Sequence, residues 1–432
     1  MKNALYLLVL AIVGQQAFCQ DVDKKIKEKD VTRVISTLAA DDMQGRATFT
    51  PGIEKAAKFI ESEFKHIGLK PMVGNNGYRQ NFTLTRTRPL SSQLIINQKT
   101  ISADSAFVAT SASLVNINQL ADVEIIKVTP EKDFRTVYRS LINSSKKLLI
   151  VVDPKFASFF KRLKDRAETG TVAMKTNDSQ VLIYVLGVYD DIKALNLTYT
   201  GKAEVLPLFN IAGIIPGTTK PNEYVIFSGH FDHLGIIKPM QGDSIANGAD
   251  DDASGTTAVI ELAKYYKKAK NNTRTLIFVA FTAEEIGEYG SQYFATTVHP
   301  DDVVAMFNIE MIGKKSKFGE NSAFITGFER SDFGTILQKN LTDTPFKFYP
   351  DPYPDQNLFY RSDNASLAAV GVPAHTISTD QIDIDSLYHT VKDEVSSLDM
   401  ANITATIRAI ALSAQTIVSG FDTPKRVAKL EN

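Results

Sequence analysis

Imidazole and carboxylate side chains gather in four short segments between residues 228 and 310. The segments are Ser-Gly-His-Phe-Asp-His at 228–233, Gly-Ala-Asp-Asp-Asp-Ala-Ser-Gly at 248–255, Phe-Thr-Ala-Glu-Glu at 281–285 and Asn-Ile-Glu at 308–310. A further histidine, His389, follows much later in Tyr-His-Thr. Neutral imidazole nitrogen and carboxylate oxygen are the usual zinc ligands in the absence of thiolates. The pattern therefore predicts a zinc site.

Three of these segments directly follow apolar runs that we interpret as β-strands. The runs lie at 224–227, 275–281 and 303–307. Because ligands of α/β sheets bind at the carboxyl ends of strands, the three runs would deliver metal-type residues to corresponding strand ends.

Strands and helices alternate along the chain after residue 206. The predicted elements are strands at 224–228, 275–281 and 303–309 and helices at 254–268 and 284–295. This alternation predicts an α/β fold, with a mostly parallel mixed sheet flanked by helices on both faces. Apolar residues at helical spacing also predict helices within 28–70 and a last helix that ends before Gly420.

Residues 88–205 have a different pattern. Their β-rich runs lie at 93–96, 123–128 and 147–152, with a helix predicted at 156–168 and no cluster of acids. We therefore expect one domain formed by residues 20–87 and 206–432, which carries the metal-type segments, and an inserted β-rich domain at 88–205.

The first nineteen residues have the pattern of a secretory signal peptide. Lys2 precedes an apolar run at 5–13 that is too short to span a bilayer, and Ala17 and Cys19 supply the small residues of a cleavage site. Lipidation of Cys19 is the less favoured alternative, because Phe18 is large where that signal requires a small residue. We expect a mature chain without cysteine that is secreted or periplasmic.

Composition limits the classes of partner. The 432 residues carry a net charge of -1 and are 44% apolar. A charge near zero leaves no electrostatic footprint for nucleic acid or an anionic membrane, and no later apolar stretch is long enough to span a bilayer. We therefore expect neither a nucleic-acid partner nor a transmembrane segment, and the oligomeric state stays open.

Each segment also has a structural interpretation of its own. Thr282 and Glu285 have the spacing of a capping box, and Asp250–Asp252 could cap the next helix. Three adjacent acids repel one another, however, and a bound cation would relieve that repulsion. The histidines that we interpret as structural or solvated are His66, His299 and His375. The functional interpretation depends on all the segments occurring together.

Taken together, the segments resemble the secreted dizinc aminopeptidases, zinc metallopeptidases related to glutamate carboxypeptidase, glutaminyl cyclase and the transferrin receptor ectodomain. The resemblance extends over roughly 206–420 and includes Glu-Glu-Ile-Gly at 284–287, Asn-Ile-Glu-Met-Ile-Gly at 308–313 and Arg-Ser-Asp at 361–363. The inserted residues are loosely similar to the protease-associated domain of many members.

The resemblance implies two zinc ions and a ligand set. Asp251 would bridge the two ions with its two carboxylate oxygens. His230 and Glu310 would complete the coordination of one ion. Glu285 and His389 would complete the other. The family usually carries Asp where this chain has Glu310, and we expect the longer side chain to bind the ion nevertheless.

The resemblance also implies residues that assist the reaction. Glu284 would be the general base that takes a proton from a metal-activated water. The carboxylate of Asp232 would accept the second N–H of the His230 ring. Tyr388 would stabilise the oxyanion, and Arg361 would position the polar end of the substrate.

The implied function is a secreted zinc-dependent aminopeptidase acting on peptides with a free N-terminus. Alternatives on the same site are glutaminyl-cyclase-like chemistry and dipeptidase chemistry, the latter as a carboxypeptidase toward acidic dipeptides that would need a basic pocket. A third alternative is a non-catalytic binding ectodomain. The complete ligand set argues against the cyclase, and the presence of Glu284 argues against the loss of catalysis.

Overall fold

The structure is a computed structural model that describes residues 22–142 and 144–430. The predicted signal peptide, with Cys19, lies outside these residues. Among the residues described, no helix combines the length and the apolar character needed to cross a membrane.

The chain divides into two compact units. One combines the residues up to Asn81 with those from Phe209 onward, and the other is Phe82–Leu208. The strands are β1 (Lys70–Pro71), β2 (Arg79–Ile96), β3 (Lys99–Thr100), β4 (Ala106–Ala109), β5 (Leu114–Ile117), β6 (Glu124–Val128), β7 (Lys147–Val152), β8 (Thr171–Ala173), β9 (Val181–Leu186), β10 (Leu195–Ile215), β11 (Lys220–His230), β12 (Gly235–Met240), β13 (Asp243–Ala246), β14 (Arg274–Phe281), β15 (Val303–Ile309), β16 (Ser322–Ile325), β17 (Lys347–Pro350) and β18 (Ala374–Ser378).

The α-helices from residue 28 onward are α1 (Glu28–Leu38), α2 (Pro51–Ile67), α3 (Phe134–Leu141), α4 (Ala157–Thr169), α5 (Gly255–Ala269), α6 (Tyr289–Ala295), α7 (Phe333–Asn340), α8 (Asn364–Ala368), α9 (Met400–Ser413) and α10 (Gln415–Val418).

The sheet of the first unit is mixed and mainly parallel. Its strand order is β17-β16-β18-β15-β11-β14-β10. The neighbouring strands β18, β15, β11 and β14 are parallel, β10 is antiparallel to β14, and β16 is antiparallel to β18. The sequence-based prediction of a mixed α/β sheet is therefore confirmed.

Both faces of this sheet are buried. Val225 and Phe227 on β11 belong to a core that also contains residues of α1, α2, α5 and α9. Ile226, which lies between them, belongs to a second core with residues of α6 and α8. Because successive residues of a strand face opposite sides, burial on both faces explains why the central strands are continuous apolar runs.

Helix α2 shows how local sequence sets the ends of an element. Pro51 occupies the start of the helix, and Gly68, at φ 79°, ends it with its amide bonded to the carbonyl of Phe64 at 3.0 Å. The side chains of Ile53, Ile60 and Phe64 are buried on one face of the helix. The spacing of apolar residues predicts this face correctly.

The helix predicted at 284–295 begins only at Tyr289, so its first turn is wrong. Gly287 has φ 133° and Glu288 has φ 58°, and neither value is compatible with a right-handed helix. The chain instead forms a turn in which the amide of Glu288 donates to the carbonyl of Glu284 at 2.9 Å. The capping-box interpretation fails with it, because the helix starts too late.

The second unit has a four-stranded sheet of its own, in the order β4-β9-β7-β6. Strands β6, β7 and β9 are parallel, and β4 is antiparallel to β9. One face packs with Phe134 of α3 and Phe160 of α4, and the other face forms a separate apolar core. The two boundaries expected from the sequence lie within β2 and β10, and each of these strands contains residues of both units.

Removing the ring of Phe227 should destabilise the first unit. Phe227 is fully buried, and the rings within 5.4 Å of its centroid are those of Tyr266, Phe278 and Phe307. We expect Phe227→Ala to lower the free energy of unfolding by about 3–5 kcal/mol in urea denaturation, because it leaves a cavity between these rings. Phe421→Ala, at a side chain that is 79% exposed, is the control and should change it by less than about 0.5 kcal/mol. Equal effects of the two substitutions would contradict the prediction.

Candidate metal centre

The carboxyl ends of β15, β11 and β14 lie side by side and carry most of the predicted ligands. The strands are adjacent and parallel, with Ser228 paired to Asn308 and His230 paired to Phe281. Strand β11 ends at His230, and β15 is followed directly by Glu310. The structure thus brings together segments that are far apart in the sequence, at the sheet edge where the apolar runs predict them.

Asp251 lies between two histidines. Its Oδ1 is 3.1 Å from His230 Nε2, and its Oδ2 is 3.2 Å from His389 Nε2. The same His389 nitrogen is 3.2 Å from Glu285 Oε2. The two oxygens of one buried carboxylate therefore face different imidazoles, which is the arrangement that a carboxylate bridging two cations requires.

The backbone that carries Asp251 is an irregular helical turn, Ala249–Ser254, in which the Asp251–Asp252 peptide bond is cis. The carboxylate of Asp393 accepts the amide of Asp250 at 2.9 Å and the amide of Asp251 at 3.1 Å. These two hydrogen bonds fix the approach of Asp251 to the site.

Asp252 has a structural role of the kind that helix capping predicts. Its Oδ1 accepts the amide of Gly255, at the start of α5, at 3.0 Å and the amide of Met311 at 3.1 Å. Its Oδ2 accepts the amide of His230 at 3.1 Å. One buried carboxylate thus joins α5 to the segments that carry His230 and Glu310, and the structural interpretation applies to Asp252 but not to Asp251.

Arg46 stabilises the backbone that directly precedes the turn carrying Asp251. It is completely buried and donates to the carbonyl oxygens of Phe231, Asn247 and Gly248 at 2.5–2.8 Å. The neighbouring Gly45, at φ 63°, allows this approach, since a Cβ there would lie 2.4 Å from the carbonyl oxygen of Ala246.

Asp232 contacts His230 through a different atom from the one expected. The ring Nδ1 is 3.1 Å from the backbone carbonyl of Asp232 and 3.9 Å from its carboxylate. The carboxylate instead accepts the amide of Glu284 at 3.2 Å. Because a carbonyl can only accept, His230 donates from Nδ1, and its Nε2 faces Asp251.

His233 is a site residue to which the sequence assigns no role. Its Nδ1 is 2.6 Å from Glu285 Oε1 and 3.7 Å from Asp251 Oδ2, and its side chain is fully buried. His233, Asp251 and Glu285 are close enough to bind one metal ion together. The available signal was its position in the same His-Phe-Asp-His segment as His230.

Glu284 and Glu310 are acids in a largely buried environment. Glu284 Oε2 is 4.0 Å from His230 Nε2, and burial raises the pKa of Glu284 well above its usual range. Burial also raises the pKa of Glu310 to about 7, although Ser362 donates a hydrogen bond to its carboxylate. Such acids favour a nearby cation, because a positive charge stabilises their ionised form.

Tyr388 and Arg361 lie on an open cleft beside these acids. The Tyr388 ring stacks on His389 with centroids 3.8 Å apart, and burial together with the charge of Asp251 raises the pKa of the phenol. Glu310, Tyr388 and Arg361 are among the residues that line this cleft. Arg361 is exposed, with one guanidinium nitrogen 3.4 Å from Gln356 Oε1.

The donor set fits a divalent metal. The Nε2 atoms of His230 and His389, which face Asp251, are buried without a hydrogen-bond partner among the described residues. Two ligand atoms on one tetrahedral zinc ion are about 3.3 Å apart when each lies about 2.0–2.1 Å from the metal. The separations of 3.1 and 3.2 Å around Asp251 are close to this value.

Residues 210–414, which contain every proposed ligand, match the model of Peptidase family M28. The match covers slightly less than half of the chain and shows a similarity to this family over the residues that form the candidate site.

Two fungal sequences illustrate the similarity of this chain to known proteins. Leucine aminopeptidase 1 of Ajellomyces capsulatus (strain H88) is 30% identical over 205 residues, which are 44% of this chain and 51% of the relative. A probable leucine aminopeptidase of Trichophyton verrucosum is 32% identical over 199 residues, covering 44% of this chain and 52% of the relative. The chain thus spans about half the length of these relatives.

Solved structures of other proteins share the fold over nearly the whole chain. An aminopeptidase from Aneurinibacillus sp. strain AM-1 has a TM-score of 0.57 at 17% identity, covering 96% of this chain and 97% of that one. A peptidase M28 precursor from Shewanella amazonensis has a TM-score of 0.55 at 13% identity, covering 97% and 99%. At these identities the likeness establishes the α/β fold alone.

Glu310 is the candidate ligand whose binding of metal can be tested most directly. The ligand set expected from the sequence, in which Glu310 holds one of two ions, predicts that Glu310→Ala loses about one metal ion per chain. Glu310→Asp should retain both ions, because it keeps the carboxylate. Elemental analysis after gel filtration measures the metal, with Glu320→Ala, at a side chain that is 72% exposed, as the control. An unchanged metal content in Glu310→Ala would remove this residue from the ligand set.

Proposed function

We propose that this protein is a zinc-dependent aminopeptidase that releases N-terminal residues from peptides with a free amino terminus. The observation that carries the proposal is the placement of the two Asp251 oxygens against His230 and His389. A carboxylate in this position suits two co-catalytic cations. The names of the leucine aminopeptidase relatives, and of a probable zinc metalloprotease of Leptosphaeria maculans that is 33% identical over 109 residues, support the same activity.

The proposed ligand set divides into two sites that share Asp251. His230 and Glu310 would hold one zinc ion. Glu285 and His389 would hold the other, and an N–H of His233 would orient the Glu285 carboxylate. When bound, zinc supplies Lewis acidity and a water nucleophile at neutral pH.

Glu284 and Tyr388 would assist the reaction in two different ways. Glu284 would accept the proton of the attacking water and pass it to the leaving amine, and its raised pKa suits a group that must both take and return a proton. The Tyr388 phenol stays protonated at neutral pH and can therefore donate a hydrogen bond to the oxygen of the scissile carbonyl.

An excess of buried acid beside the ligands favours a substrate with a free amine. Asp363 is 1% exposed, and burial together with the charge of Glu310 raises the pKa of Glu288 to about 7. Burial, together with the charges of Glu288 and Glu310, also raises the pKa of the Asp363 carboxyl. The ammonium group of a free N-terminus would compensate these charges, whereas the carboxylate of a C-terminal substrate would be repelled.

The cleft beside Glu310 suits an apolar side chain on the released residue. Its walls include Met311, Phe324, Leu358 and Ile382. Transfer of an apolar side chain from water into such a cleft is favourable in proportion to the area buried. We therefore propose that residues such as leucine are preferred over charged ones.

Localisation and the inserted unit complete the proposal. We infer from the residues 1–19 that the protein is secreted or periplasmic, with lipid attachment at Cys19 as the less favoured alternative. We also propose that the inserted unit is a protease-associated-like domain.

Glu284→Gln should abolish turnover without removing the metal. The amide has the same shape but cannot accept the proton, so kcat should fall about 10²- to 10⁴-fold while the zinc content stays unchanged. Hydrolysis of leucine p-nitroanilide measures the rate, and Glu329→Gln is the control outside the site. Near wild-type turnover with full zinc would exclude Glu284 as the base.

The activity itself is tested with paired substrates on the zinc-loaded chain. We expect hydrolysis of leucine p-nitroanilide and of peptides with free N-termini, and no hydrolysis of the N-acetylated forms. Cleavage of blocked or internal bonds would overturn the aminopeptidase proposal. Conversion of N-terminal glutamine to pyroglutamate would select the cyclase alternative, and no turnover on any of these substrates would select a binding ectodomain.

A further inference from the structure

We propose that Lys314 is a positioning residue whose ammonium group holds the His389 segment against the Asp251 segment and thereby maintains the affinity of the site that His389 completes. This inference rests on the proposed assignment of Asp251 and His389 as ligands, and it concerns metal affinity rather than the choice of substrate.

The ammonium group of Lys314 contacts two carboxylates from distant parts of the chain. Lys314 Nζ is 3.2 Å from Asp250 Oδ2 and 2.5 Å from Asp385 Oδ2. Asp250 directly precedes Asp251, and Asp385 precedes His389 by four residues. A single cation thus links the segments that carry the proposed bridging ligand and the last ligand.

Both carboxylates are tied to the backbone of the site through their second oxygen. Asp250 Oδ1 accepts the amide of Gly313 at 2.7 Å, three residues after Glu310. Asp385 Oδ1 accepts the amide of Leu387 at 2.8 Å, directly before Tyr388. A change in the position of either carboxylate is therefore transmitted to a segment that carries a site residue.

Lys314 is itself held in place. Asn402, on α9, donates to the backbone carbonyl of Lys314 at 2.8 Å. The side chain of Lys314 is only 20% exposed, while those of Asp250 and Asp385 are 0% and 5% exposed. Burial alone would lower the pKa of this lysine, but Asp250 and Asp385 raise it, so the ammonium stays charged.

Loss of this cation would leave acids facing one another inside the protein. Asp250, Asp380 and Asp385 are close enough to bind a single ion together, and Asp380 is 5% exposed. Removing one partner of a buried ion pair is strongly destabilising because the remaining charge is uncompensated. The acids would then move apart, and the segment with the weaker backbone support would move further.

The segment that carries His389, residues 379–394, is the one that would move. Residues 379–394 contain neither helix nor strand, whereas Asp250 lies at the start of the turn that leads into α5. Displacement should therefore move His389 away from Asp251 and leave His230 in place at the end of β11.

The neighbouring lysines provide matched controls. Lys315 pairs with Glu320 at 2.7 Å, and both side chains are more than half exposed. Lys317 pairs with Asp383 at 3.5 Å, again near the surface. Exposed ion pairs of this kind contribute little, so their loss should not alter metal affinity.

The test is zinc release to a competing chromophoric chelator, measured on the full zinc-loaded chain. We expect Lys314→Met to lose one zinc ion per chain at a chelator concentration about 10- to 100-fold lower than wild type, while the second ion is retained. Lys314→Arg should restore most of the affinity, and Lys315→Met should match wild type.

A double-mutant cycle identifies which site is affected. In the background of His389→Ala, Lys314→Met should cause no further change in zinc release, because the site that it supports is already lost. In the background of His230→Ala, it should still weaken the remaining ion. Equal effects in both backgrounds would show a general structural role and overturn the proposal.

Two further outcomes are decisive. Wild-type release from Lys314→Met overturns the proposal directly. If that variant does not fold, Asp385→Asn, which weakens the same link but retains the acceptor for Leu387, must release the same single ion early or the proposal falls. Zinc release is independent of turnover, so a chain that binds two ions and cleaves no peptide would overturn the peptidase proposal alone.

Discussion

The burial of many carboxylates in one small volume is the constraint on which this structure depends. Like charges in a medium of low dielectric repel strongly, and each must be given a partner. Asp252 receives three backbone amides, Asp393 receives two, and Asp250 faces Lys314. Asp251 faces imidazoles on both sides. The loops and the turn before α5 supply these partners, and the buried Arg46 holds their backbone in place through carbonyl oxygens. A bound metal would compensate the negative charge that remains.

Much of the scaffold is readable from the sequence because its central strands are buried on both faces. Such strands appear as continuous apolar runs, and β15 coincides with its predicted bounds, Val303–Ile309. Parallel neighbours align their carboxyl ends, so the residues that follow each run had to meet. The apolar runs alone therefore predict that His230, Glu284, Glu285 and Glu310 lie close together, without knowledge of the loops.

The features of the site that the sequence does not predict depend on contacts between distant segments. The residues around Glu284 have good helical character, yet the backbone turns there through Gly287 and Glu288 at positive φ. A hydrogen bond from His230 to the carbonyl of Asp232, rather than to its carboxylate, reflects the local path of the chain after β11. His233 could be recognised only once Glu285 was placed beside it. Side-chain type suggests a role, but only tertiary geometry decides which atom fulfils it.

The order of the segments along the chain has a consequence for biosynthesis. Helix α1, near the start, packs against α5 and α9, and α9 is almost the last element to be made. At a synthesis rate of about 5–20 residues per second, the apolar face of α1 is made on the order of tens of seconds before α9. The inserted unit, by contrast, is continuous in sequence, from Phe82 to Leu208, and can complete its own cores while it leaves the ribosome. The first unit, by comparison, needs segments from both ends of the sequence before its core is complete.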